Sequence, residues 1–140
     1  MSTGLDVFDS SLEKTNIIFK RIEDELEWSN RRRQTYHAVR TFLHALRDRL
    51  TIDQAVQFSA QLPLILKGVF FDGWNPKIVP IKMHREEFVQ YVAGEFQLDV
   101  KEGTDRLIRI VSDAIFDHIS PDERFKVLNN LPKDLFDLLA

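Results

Sequence analysis

The sequence predicts an all-α fold of two tandem three-helix units in a compact helical bundle, and three observations carry that prediction. Apolar residues recur at alternating spacings of three and four, the period that gathers them on one face of an α-helix. Serine or threonine followed three residues later by glutamate or glutamine stands at the expected helix starts, a pattern in which each side chain satisfies a backbone N–H. The third observation is an internal repeat. Residues 36–70 align without a gap on residues 105–139, 69 positions later, with Arg40/Arg109, Ala45/Ala114, Asp48/Asp117, Asp53/Asp122, Leu62/Leu131, Pro63/Pro132 and Leu66/Leu135 identical. A repeat at fixed spacing sets the unit of folding.

In chain order, Ser10 to Glu13 reads as a capping box that opens a helix running to about residue 28, with Leu12, Thr15, Phe19, Ile22 and Leu26 as its apolar stripe. Ser29 and Asn30 interrupt it and offer a cap to a second helix over residues 31–49, which carries Tyr36, Val39, Phe42, Leu43 and Leu46 at core spacing. Thr51 to Gln54 is a second capping box, and Ser120 to Glu123 is its repeat partner, improved by Pro121 at the first helical position, where a missing N–H costs nothing. Proline disfavours helical geometry at the residue before it, so each third helix breaks at Leu62-Pro63 and at Leu131-Pro132. Short final helices follow, the first closed by Gly68. Residues 70–82 form an ordered aromatic connector, and an offset of 70 then relates the first helix to one running from about Arg85 to Leu98. The whole, residues 1–140, is a single domain with an internal repeat over 10–69 and 83–139 and a connector over 70–82.

A hydrophobic content of 44% in 140 residues supports a real core and argues against disorder. A net charge of −3 opposes a generic nucleic-acid or anionic-membrane binder, though not a local basic face. With no cysteine, a disulfide framework and thiolate metal sites are excluded. No apolar run approaches the roughly 18 residues that span a bilayer, and the N-terminus lacks the basic and apolar regions of a secretion signal. The expected location is the cytoplasm.

Several strings carry a family resemblance: Lys14 to Asn16, Leu43 to Leu50, Ala60 to Pro63, Gly68 to Trp74, and Glu86 to Phe88. Over nearly the whole chain they resemble the bacterial family catalogued as domain of unknown function 2267. The resemblance implies a small, soluble, all-helical protein and carries no reaction, cofactor or catalytic residue.

The sharpest candidate site is on the second helix. Arg33, His37, Arg40, His44 and Arg47 recur at spacings of four and three, a cationic ladder on one face. Such a ladder invites an acidic opponent, either a partner or carboxylates of the chain itself, Glu23, Asp24, Glu25 and Glu27 foremost. The second copy keeps only the Arg40 position, as Arg109, so both arginines are expected to be structural, paired with Asp48 and Asp117. Arg33, His37, His44 and Arg47 are the candidate partner-binding residues. Phe70, Phe71 and Trp74 either line a pocket between the copies or, as the favoured reading, pack the halves together. His37, His44, His84 and His118 show no metal-binding spacing, and no serine sits in a nucleophile elbow, so neither metal, cofactor nor catalytic residue is expected. The leading functional expectation is a non-enzymatic interaction or scaffold module that binds a protein partner or itself. A nucleic-acid-binding regulator using the basic face of the second helix and a small-molecule binder at the interface of the repeats are the alternatives.

Overall fold

The computed structural model describes residues 2–97 and 103–140. Among them are eight helices and no strand: α1 (Asp6–Leu26), α2 (Arg32–Arg49), α3 (Ile52–Ser59), α4 (Leu64–Phe71), α5 (Arg85–Glu95), α6 (Gly103–Phe116), α7 (Pro121–Asn129) and α8 (Lys133–Leu139). Leu98, the expected end of the fifth helix, lies outside the described residues. None of these helices is long and apolar enough to cross a membrane.

Two helices organise the core. α2 packs on α1, α4, α5 and α6, while α6 packs on α1, α2, α5 and α8. Their stripes explain why. Val39, Phe42, Leu43 and Leu46 of α2, and Leu107, Ile108, Val111 and Ile115 of α6, are all buried. Fully burying a side chain of this size contributes about 1.5–3 kcal/mol, so these two stripes outweigh any single cap or ion pair. The short helices α3 and α7 pack on each other.

Two pairs of helix starts keep the 69-residue spacing of the sequence repeat. α3 and α7 begin at Ile52 and Pro121, and α4 and α8 at Leu64 and Lys133. Cap geometry repeats as well: the residues before α4 and α8, Pro63 and Pro132, have φ, ψ of −53°, 148° and −56°, 152°. Thr51 completes its capping box, its hydroxyl accepting from the Gln54 N–H at 3.2 Å while the Gln54 side chain accepts from the Thr51 N–H at 3.0 Å. Ser120 caps in the same way through the Glu123 N–H, but its own N–H donates to the Gln61 side chain at 3.1 Å. The reciprocal half of the second box is thus made across the molecule, between the end of α3 and the start of α7.

Three local expectations are corrected. α1 begins at Asp6 rather than at the Ser10 box, because Asp9 accepts from the Thr3 N–H and hydroxyl at 2.7 and 2.9 Å and ties the N-terminal arm to the first turn. Ser11, inside α1, accepts the Ile65 N–H at 2.8 Å and caps α4, 54 residues away. Nor does Asn30 cap α2: the N-cap is Arg31, without a side-chain bond, and left-handed Glu27 and Asn30 shape the corner instead. Finally, α4 runs through Gly68 to Phe71, so Phe70 and Phe71 are helical and the connector starts at Asp72. Gly68 has a helical backbone there and no positive φ to impose a stop.

From Asp72 the chain continues as a strap that crosses the C-terminal end of α2. The Ile81 N–H donates to the Asp48 carbonyl at 2.7 Å, the Arg49 side chain donates to the Met83 carbonyl at 3.1 Å, and Met83 is buried.

Candidate functional site

The cationic ladder of α2 does not form one surface. Arg33 and His37 are exposed, Arg40 and His44 are partly covered, and Arg47 is buried. The difference follows from what lies opposite each turn of the helix. Near its N-terminus α2 faces solvent and α1, where Arg32 pairs with Glu23 at 3.0 Å and stacks over Phe19. Towards its C-terminus it runs beneath α4 and the strap.

Arg47 is 5% exposed and spends its donors inside the protein. Its guanidinium donates to the Asp48 carboxylate at 2.8 Å and to the carbonyls of Phe70 and Asp72 at 3.2 and 2.9 Å. Those carbonyls belong to the last turn and the C-cap of α4, the end where a helix leaves acceptors unsatisfied and where a cation is favoured. Arg47 is therefore a clamp that holds the end of α4 against α2. The expected pairing of Arg40 with Asp48 and of Arg109 with Asp117 is corrected on the same evidence. Arg40 pairs with Asp72 at 2.9 Å, and Arg109 donates to the Asp137 carbonyl at 3.1 Å. Asp117 takes Arg21 and Arg124, and Arg21 holds its carboxyl below the usual carboxylate range.

Phe70, Phe71 and Trp74 form part of a continuous row of rings. Phe116, Phe58, Phe70, Phe71 and Trp74 follow one another at centroid separations of 5.9, 5.4, 5.1 and 5.0 Å. Phe58 and Phe70 are fully buried, and the row runs from α6 through α3 and α4 to the connector. Through the Phe58–Phe116 contact the row ties α3 and α4 to α6. The Trp74 indole N–H is buried without an acceptor.

The convergent polar groups lie elsewhere, in a cavity of about 180 Å³ between α2 and α5 lined by His37, Arg40, Thr41, His44, Tyr91 and Glu95. Two of the partner-binding candidates, His37 and His44, meet there; Arg33 and Arg47 do not line it. The His37 ring stands edge-on to Phe96 at 5.2 Å. The His44 Nε2 lies 2.7 Å from the Val69 carbonyl. Burial pushes the His44 imidazole below its ordinary value of 6.5, against the pull of the Val69 carbonyl and with help from the nearby Arg47 and Arg40. Tyr91 donates its hydroxyl to the Asp48 carboxylate at 3.1 Å. Burial, reinforced by the Asp48 charge, pushes that phenol up to about 12.

Thr41, Tyr91 and Glu95 escaped the sequence reading, in which Asp48 figures only as the expected partner of Arg40. Tyr91 and Glu95 sit on a helix whose apolar stripe shows no register against α2, and nothing local brings a carboxylate at position 48 to a phenol 43 residues on. One signal existed: Asp48 is among the identical repeat positions, at a turn of α2 otherwise rich in apolar residues.

His44 gives a pH test. Its folded-state value is depressed, so the neutral form contributes stability above the ordinary 6.5, and that stability is lost as pH falls through the depressed value. Between about pH 7 and pH 5 the unfolding free energy of the parent falls more steeply than that of His44→Gln, which keeps a donor for Val69 and cannot titrate. Urea unfolding at several pH values measures the two slopes.

Among the described residues, no group of three or more histidine, aspartate or glutamate side chains is placed to hold a metal ion. A family model described as an uncharacterized conserved protein (DUF2267) matches residues 15–138. No curated protein matches the chain.

Proposed function

The chain belongs to the domain of unknown function 2267 family, which assigns no chemistry, and from its own surface we propose that it is a non-enzymatic interaction module that pairs with a second copy of itself through α3 and α7. The observation that carries this reading is Phe125, which is 67% exposed on α7. Its ring borders a hollow of about 270 Å³ whose other walls include Pro121, Leu128 and Phe136. A protruding ring beside an apolar hollow on the same face is what a twofold contact uses, because each copy can fill the other's hollow with its own ring. On α3, which packs against α7, Ile52 and Val56 extend the apolar surface at 45% and 51% exposure.

The internal repeat supports the choice of a second copy as occupant. On this reading residues 10–69 and 83–139 are tandem units of one domain, and Val56 and Phe125 hold the same place in each. The contact face then comprises equivalent helices from both units, and a surface of that kind is close to self-complementary.

Phe125→Glu places a charge at the centre of this contact and weakens the dimer by about 2 kcal/mol or more, roughly 30-fold, as expected of an aromatic anchor. Sedimentation equilibrium over a concentration series reads the effect, with far-UV circular dichroism showing an unchanged helix content. A parent protein that stays monomeric throughout the series overturns the proposal, as does a Phe125→Glu protein that dimerises as well as the parent.

A further inference from the structure

We propose that the cavity between α2 and α5 binds a small zwitterionic aminocarboxylate, with its ammonium group on His44, Tyr91 and Glu95 and its carboxylate on Arg40. This goes beyond the pairing of copies, since none of the residues lining the cavity belongs to α3 or α7. Its six lining residues are all polar, and hydrogen bonds made outside it determine what two of them offer inside.

A carbonyl oxygen only accepts, so the 2.7 Å contact between the His44 Nε2 and the Val69 carbonyl puts the imidazole proton on Nε2. The lone pair is then on Nδ1. Tyr91 gives its only proton to the Asp48 carboxylate, which leaves the phenolic oxygen able only to accept. Glu95, at the exposed end, is an acceptor as well. The three acceptors call for a group rich in donors, and an ammonium supplies three N–H bonds.

Arg40 supplies the opposite requirement. Its Nη1 is held by Asp72 at 2.9 Å and by the Tyr36 hydroxyl at 3.4 Å, which orients the remaining donors of the guanidinium fork. With one fixed cation and one carboxylate in its lining, the site matches a ligand that carries both charges and opposes a bare metal cation or a simple anion. Size narrows the class further. A volume of about 180 Å³ is that of about six waters at ~30 Å³ each, which suits glycine, alanine or β-alanine and is too small for a nucleotide.

The experiment titrates the ¹⁵N-labelled protein with glycine and with β-alanine and follows the His44 imidazole nitrogens by long-range ¹H–¹⁵N spectroscopy. Acetate and methylamine serve as probes carrying one charge each. The expected result is a saturable shift of the His44 Nδ1 resonance with at least one zwitterion, and binding about tenfold weaker for acetate and methylamine. Glu95→Gln, exposed and checked for folding by its amide spectrum, weakens zwitterion binding about tenfold as well. The proposal is overturned if neither zwitterion gives a saturable shift, if methylamine or acetate binds as well as the zwitterions, or if folded Glu95→Gln binds them unchanged.

Discussion

Arg47→Met lowers the unfolding free energy by about 3–5 kcal/mol, the cost of breaking a buried ion pair from one side. Methionine keeps most of the length and volume of the arginine stem, so packing changes little and the loss is electrostatic. Three acceptor groups are affected. The Asp48 carboxylate keeps only the Tyr91 hydroxyl, and the carbonyls of Phe70 and Asp72 lose their shared donor at the end of α4. A buried acceptor left without a partner costs about 1–3 kcal/mol, more when it is charged. Urea unfolding of the single variants and of the double variant Arg47→Met/Asp48→Asn forms a mutant cycle. The double variant is expected to lose clearly less than the sum of the singles, because neutralising Asp48 removes the charge that the first substitution strands. An Arg47 that served a partner at the surface would give a change within about ±0.5 kcal/mol. That outcome would return it to the list of contact residues.

Phe58→Ala is expected to cost about 3–5 kcal/mol, as for other fully buried rings. Phe58 is 0% exposed and sits between Phe70 and Phe116 at 5.4 and 5.9 Å. Its removal opens a cavity at the junction of α3, α4 and α6 and breaks the row of rings in the middle. Neighbours on three helices cannot all close on the gap at once, which places the effect towards the upper end of the range. Val127 holds the equivalent position in the repeat and is also buried. Val127→Ala removes fewer carbon atoms, at about 0.8 kcal/mol per buried methylene-sized group plus a smaller cavity. The two melts therefore separate by at least about 1 kcal/mol, with the denaturant slope unchanged in both. A Phe58→Ala protein as stable as Val127→Ala would mean that the aromatic row does not tie α3 and α4 to α6.

What could be read from the sequence divides along the range of the forces involved. The stripe of α2 apart from Tyr36, which is 41% exposed, the cap at Thr51, the cap at Ser120 and the breaks at Pro63 and Pro132 depend on neighbours within one or two turns, and each stands in the structure where the pattern placed it. At the start of α1 two local signals compete. The Ser10 to Glu13 box has the right residues, but Asp9 and Thr3 close the helix one turn earlier and Ser11 serves a distant N–H. At Gly68 a residue that often ends helices lies inside one, since the packing of α4 on α1 and α2 outweighs the roughly 1 kcal/mol that glycine costs relative to alanine in a helix interior.

The candidate site was legible only in part. Periodicity placed His37, Arg40, His44 and Arg47 on one face of α2, and comparison of the repeat copies singled out His37, His44 and Arg47. It could not say that the last of these would be roofed by α4 and the strap while the first stays exposed, because a helix reports its own face and not what covers it.

By itself the sequence determined an all-helical architecture, the helix starts at Thr51, Ser120 and the two Leu-Pro sites, and most of the stripe of α2, because those follow from backbone geometry and side-chain period within a few residues. Tertiary structure alone decided that Arg47 is a clamp, that Asp48 holds Tyr91, that Ser11 caps α4, and that the convergent polar groups lie between α2 and α5. Each of these is a contact across more than 20 residues. The energy of such a contact depends on local dielectric and on which acceptors burial leaves unpaired, and these come into being only when the helices pack.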